Sequence, residues 1–152
     1  MTEVHILLVE DSHQDVLLIR EALRDTGLEH KLTTATDGEG ALQILYSAEY
    51  RPNIVFLDLN LPKISGLEVL KEMKRDSGLR SIPVIILTNS MSEDDVVTAY
   101  ASHCNAYVRK PLGFERLMAS LNSICQFWFD TATLPKHRTT TFTSSPPETL
   151  AL

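Results

Sequence analysis

The sequence predicts an α/β fold: a doubly wound, five-stranded parallel sheet with helices on both faces. Three observations carry this prediction. Apolar runs alternate strictly with segments of helical periodicity, five of each. The runs are continuous, as expected of strands covered on both faces of a parallel sheet. Each ends in a polar residue, so the strand ends should bring chemistry-bearing side chains to one edge of the sheet. The layer rule and right-handed crossovers then leave few other arrangements.

The elements follow in order. Val4 to Val9 (VHILLV) is the first strand and runs into Glu10-Asp11. Ser12 or Asp11 caps the next helix by accepting its free N–H groups. Val16, Ile19, Ala22 and Leu23 recur at helical spacing, and Gly27 ends that helix. Lys31 to Thr36 is β-branched and alternating, a second strand. Asp37-Gly38 makes a turn, and Ala41, Leu42, Ile44 and Leu45 mark the second helix. Ile54-Val55-Phe56-Leu57, between Pro52 and Pro62, is the third strand and delivers Asp58 at its carboxyl end. After Ser65-Gly66, Leu67, Leu70 and Met73 form a helix that closes near Asp76-Ser77-Gly78. Pro83 to Thr88 is the fourth strand. Ser92 with Asp95 three residues on is a helix start with an acid in its first turn, suited to the helix dipole. Val96, Val97, Ala99 and Tyr100 continue it. Ala106 to Lys110 is the fifth strand and stops at Pro111. The last helix is expected from about Phe114 to Phe129, with Phe114, Leu117, Leu121 and Ile124 facing the sheet.

At 152 residues the chain is expected to hold one domain, residues 1–129, followed by an extension over 130–152. Residues 138–149 (RTTTFTSSPPET) are too poor in apolar residues to build a core and are expected to form a flexible tail without an output domain. The net charge of −6 and the lack of a basic cluster beyond Lys71-Glu72-Met73-Lys74-Arg75, which reads as a solvated helix face, exclude a nucleic-acid footprint. No apolar stretch approaches the roughly 20 residues of a membrane span. Met1-Thr2-Glu3 leads directly into a strand, so no signal peptide and a cytoplasmic location are expected. Cys104 and Cys125 lack metal-ligand or CxxC spacing and read as reduced, partly buried thiols.

The strand ends supply Glu10 and Asp11, then Asp58, Thr88 and Lys110. Three carboxylates in one crevice repel one another unless positive charge is present. A divalent cation and one ammonium provide it, and oxygen-only ligands favour Mg2+ or Mn2+. With such a cation, a carboxylate can attack phosphorus and form an aspartyl phosphate. Lys110 and the Thr88 hydroxyl would meet the phosphoryl oxygens. His13 lies nearby but alone, and reads as a surface loop residue.

These motifs, Val9-Glu10-Asp11, Leu57-Asp58-Leu59-Asn60-Leu61-Pro62 with Gly66, Leu87-Thr88 and Lys110-Pro111, together resemble the receiver domain of two-component response regulators over residues 4–129. The resemblance implies a flavodoxin-like sheet of strand order 2-1-3-4-5. It implies that Asp58 accepts the phosphoryl group, and that Asp11, Asp58 and the Asn60 main-chain carbonyl bind Mg2+, with Glu10 acting through a metal-bound water. Thr88 and Tyr107 would be the switch pair, and Lys110 the phosphoryl-binding cation. Glu10 stands where aspartate is commoner, and Asn89 where a smaller residue is common. Residues 60–70 and 85–90, with Phe127-Trp128-Phe129 and Leu134-Pro135, are similar to single-domain regulators paired with cyanobacterial phytochromes. That implies a light-sensing histidine kinase as phosphodonor; with no output domain expected after residue 129, the response is expected to pass through another protein.

A homodimer is also expected. Met118, Cys125, Trp128 and Phe129 fall outside the stripe assigned to the sheet, and exposed aromatics mark interfaces; the alternative is that Trp128 folds back on its own domain. The resemblance implies pairing through the fourth helix, fifth strand and fifth helix. Two other functions share the alternating pattern. A receiver-fold interaction module that works without phosphorylation would not need Asp58, Asp11, Thr88 and Lys110. A nucleotide or flavin binder would need a GxGxxG or Walker sequence, which is missing.

Overall fold

The five expected strands form one sheet in the order β2-β1-β3-β4-β5, with every neighbouring pair parallel. This is a computed structural model, and it describes residues 3–47 and 49–136. The strands are β1 (Val4–Val9), β2 (His30–Ala35), β3 (Ile54–Leu57), β4 (Val84–Thr88) and β5 (Ala106–Arg109). Between and after them run α1 (His13–Asp25), α2 (Gly38–Leu45), α3 (Gly66–Arg75), α4 (Glu93–Ala101) and α5 (Phe114–Gln126). The expected tail over 138–149 lies outside the described residues.

The central strands β3 and β4 are buried throughout, as their unbroken apolar runs require. Residues that alternate along each strand divide between two cores. Leu7, Val9, Val55, Leu57, Val84 and Ile86 meet α2, α3 and Ala99 of α4 on one face. Ile6, Leu8, Ile54, Phe56, Ile85 and Leu87 meet α1 and α5 on the other. Helix starts are fixed by short polar side chains after each of the first four strands. Ser12, Asp37, Ser65 and Ser92 each accept the N–H three residues on, at 2.6–3.2 Å. These caps aim the amino ends of the helices at the carboxyl edge of the sheet, where the candidate site residues lie.

The last helix differs from expectation. It ends as an α-helix at Gln126, and Phe127–Thr131 widen into a π-turn. Its buried residues are Leu117, Leu121 and Cys125, with Phe114, Met118, Ile124, Trp128 and Phe129 partly buried against the same core. Positions 114, 117, 118, 121, 124, 125 and 128 follow the i, i+3, i+4, i+7 rule and make one wide stripe. The sequence alone divides that stripe into a sheet-facing set and a free set, and the structure joins them. Packing of α5 against α1 therefore buries Cys125, and it half-covers Met118, Trp128 and Phe129 within one chain. The aromatic left out is Phe127, 50% exposed and edge-on to Trp128 with ring centres 5.1 Å apart.

Candidate functional site

Glu10, at the end of β1, is buried, and its Oε2 accepts the Ser12 N–H at 3.0 Å. The turn that caps α1 thus also holds this carboxylate. Asp58, at the end of β3, is 6% exposed, and its own N–H still extends the ladder to the Val9 carbonyl at 3.0 Å. One of its side-chain oxygens accepts the Asn60 N–H at 3.3 Å. Behind it, Gly66 is packed so closely that a Cβ would overlap the Asp58 carbonyl and Leu59. Only glycine lets α3 start this near the carboxylate. Lys63 takes a left-handed conformation (φ 67°) in the same loop and pairs with Asp37 and Glu39 across to α2, each at 3.7 Å.

Glu10, Asp11 and Asp58 each offer an oxygen, and the three atoms lie within 4.8 Å of one another. Asp11 is exposed and the other two are buried, which leaves the cluster open to solvent on one side. An all-oxygen donor set with two desolvated carboxylates fits a hard divalent cation.

Lys110 faces this cluster. Its ammonium donates to Glu10 Oε1 and, at 2.8 Å, to Asp15 Oδ2, and it stands 3.6 Å from Asp58 Oδ2. Burial works against its charge, but hydrogen bonds to Asp15 and Glu10 and the Asp58 charge outweigh it, so its pKa is raised. Glu10 is pushed above the ordinary glutamate range by burial, which its bonds to Lys110 and Ser12 only partly offset. One ammonium shared among three carboxylates does not neutralise them.

Thr88 is fully buried at the end of β4, its hydroxyl accepting the Ser90 N–H at 3.3 Å. Its carbonyl receives the Lys110 N–H at 2.8 Å, which ties the fourth and fifth strand ends together. Tyr107 of β5 is half-buried beside the α2–α3–α4 core, and its hydroxyl is buried without a hydrogen-bond partner among the described residues. Its N–H donates to the Tyr100 hydroxyl of α4 at 3.2 Å. A cleft of about 240 Å³ lined by Leu59, Asn60, Ser65, Leu67, Asp95 and Thr98 adjoins the site and contains none of its carboxylates. The structure thus joins Glu10, Asp11, Asp58 and Lys110 in one constellation, with Thr88 beside it. His13 is exposed, as expected, but it opens α1 instead of lying in a loop.

Two participants escaped the sequence reading. Asp15 was legible only as the acid three residues after a cap, the Ser12-x-x-Asp15 spacing. Arg109 seemed merely to precede Lys110, yet it donates to the Ser90 and Met91 carbonyls and pairs with Glu93 at 3.2 Å. It thereby holds the loop between Thr88 and α4.

Residues 6–122 match the response regulator receiver domain. The chain belongs to that family. It is 43% identical over 135 residues to response regulator Rcp1 of Synechocystis sp., covering 86% of this chain and 92% of that one. Two solved structures are similar over most of the chain. The phosphorylated cyanobacterial phytochrome response regulator RcpA has a TM-score of 0.84 at 41% identity, covering 89% of this chain and all of the other. The Mn2+-bound form of Rcp1 has a TM-score of 0.82 at 42% identity, covering 88% and 99%. As a receiver, the chain is a phosphoacceptor protein of two-component signalling. Among the described residues, no helix is long and apolar enough to cross a membrane.

Proposed function

We propose that Asp58 is the phosphoacceptor, that Glu10, Asp11, Asp58 and the Asn60 carbonyl hold Mg2+, and that Lys110 binds the phosphoryl group. The observation that carries this is the Lys110 ammonium beside three clustered carboxylates at one sheet edge. In the transfer, an Asp58 oxygen attacks the phosphorus of a phosphohistidine. The P–N bond breaks, and its electron pair stays with the imidazole. A bound divalent cation supplies neutralisation of phosphoryl charge. Asp11 and Asp58 would be its direct ligands, and Glu10 would act through a water. Lys110 brings a second positive charge, which the carboxylate edge otherwise lacks.

The phosphodonor is a sensor histidine kinase of phytochrome type, a reading supported by the relatives named as phytochrome regulators. The protein works in the cytoplasm, and its output passes to a further protein. Thr88 and Tyr107 form the switch: a phosphoryl oxygen offers the Thr88 hydroxyl a charge-assisted bond, and the buried Tyr107 hydroxyl has no hydrogen bond among the described residues that a movement of its ring would break. Two copies associate through α4, β5 and α5.

Incubation with acetyl phosphate and Mg2+ should add one phosphoryl mass on the peptide that carries Asp58. EDTA and Asp58→Asn should both abolish it. Thr88→Ala should keep the label and lose most of the NMR shift at Tyr107. Undiminished labelling of the same peptide in Asp58→Asn would refute the assignment.

A further inference from the structure

We infer that Asp15 is a positioning residue for Lys110, holding its ammonium off Asp58 until a phosphoryl group takes its place. The inference rests on the reading of Lys110 as the phosphoryl-binding cation. An ammonium has three donors. Two of them are committed here, to Glu10 and to Asp15 at 2.8 Å, while Asp58 stays outside hydrogen-bond distance at 3.6 Å. Ser12 fixes the origin of this pull, since its hydroxyl caps α1 on the Asp15 N–H and sets the first turn against the site.

One donor remains for a phosphoryl oxygen on Asp58, but turning the ammonium toward Asp58, 3.6 Å away, draws it off one of the two carboxylates that hold it. Glu10 is the costly one to leave, because its side chain is 2% exposed and water cannot replace the lost donor. Asp15 is 27% exposed and can be rehydrated when the ammonium turns away. Asp15 therefore competes with the phosphoryl group for Lys110, and its strength sets how readily the cation is released. An acid in the first turn of α1 also suits the helix dipole, but that role affects stability without involving Lys110.

The probe is beryllofluoride with Mg2+, a non-reacting stand-in for the phosphoryl group, titrated by NMR into the full chain. Asp15→Asn should bind it on the order of tenfold more tightly, the size of a charge-assisted hydrogen bond discounted for partial exposure. Asp15→Glu should return the affinity toward wild type, and Asp15→Ser provides a second neutral variant. In a Lys110→Ala background, Asp15→Asn should lose its effect, because no cation remains to be released. Unchanged or weaker binding by both neutral variants overturns the inference. So does a gain that persists without Lys110, which would mean simple repulsion of the anion by Asp15. If wild type binds no beryllofluoride and takes no label from acetyl phosphate, the phosphoacceptor reading falls and takes this inference with it. If wild type binds and Asp15→Asn does not tighten, only the inference falls.

Discussion

Glu10 shows how one residue couples charge, metal and stability. Burial raises its pKa in the folded protein, so between the unfolded and folded values the native state holds a proton that the unfolded chain has released. Its contribution to stability is greatest in acid and falls as pH rises through the upper carboxylate range. Lys110 behaves differently: with its pKa raised, its pairing stabilises the fold at neutral pH and is lost only in strong base, above the ordinary lysine value. A divalent cation should favour the ionised carboxylates, so its stabilisation should grow with pH. Melting temperatures with Mg2+ and with EDTA, at about pH 5 and about pH 8, should diverge at the higher pH, and Glu10→Gln should narrow the gap. A gap that closes on going from acid to neutral would contradict this account. At this scale Asp58 and Lys110 were legible because each closes an apolar run. Asp15 was not, because its meaning depends on a lysine 95 residues away.

Among the elements, α4 shows what local sequence does and does not dictate. Ser92 and Asp95 announced its start, and the Ser92 cap is present at 3.2 Å. Its end carries no glycine. His103 takes the left-handed position instead (φ 74°), its N–H on the Tyr100 carbonyl at 2.9 Å and the Cys104 N–H on Ala99 at 3.1 Å. That is the paired-bond stop usually given to glycine, with the buried Cys104 and Ala99 supplying its apolar contact. His103→Gly should therefore raise unfolding stability by roughly 0.5–1 kcal/mol, the relief of a side chain at positive φ less the added freedom of the unfolded chain. Urea denaturation would measure it, and a loss of stability would mean that the imidazole has a contact of its own. The π-turn at Phe127–Thr131 was beyond the sequence reading, because apolar spacing on α5 fits an α-helix up to that point. One wide stripe on α5 was readable from the numbers 117, 121 and 125; reading it as two faces came from assigning the sheet a narrower seam than α1 and the sheet together cover.

For the whole molecule, the question is which apolar surface remains after one chain has folded. Cys125 is unavailable, and its burial pushes the thiol up to about 12, in keeping with an inert core residue. Trp128 and Phe129 are partly spent on α1 and α5, so their replacement would disturb the fold as well as any interface. Among the described residues, Leu17 on α1 and Tyr46 after α2 are exposed outside α4, β5 and α5, and the other exposed large apolar residues are Val97 (66%) and Tyr100 (49%) on α4, Met91 and Leu112 in neighbouring loops, and Phe127 in the π-turn. Val97 is the better probe of a dimer through α4, β5 and α5, because it touches solvent and Ala99 carries the packing of α4 on the sheet. In a two-fold interface each substitution appears twice, so Val97→Asp would set two like charges against an apolar contact. Sedimentation over a concentration series should show wild type associating, Val97→Asp weakened about tenfold or more, and Phe127→Ala weakened less. All three should melt alike at low concentration, since neither side chain belongs to a core. A wild-type chain that stays monomeric at the highest concentrations would remove the dimer and leave the strand-end chemistry intact, because every group in that site comes from one chain.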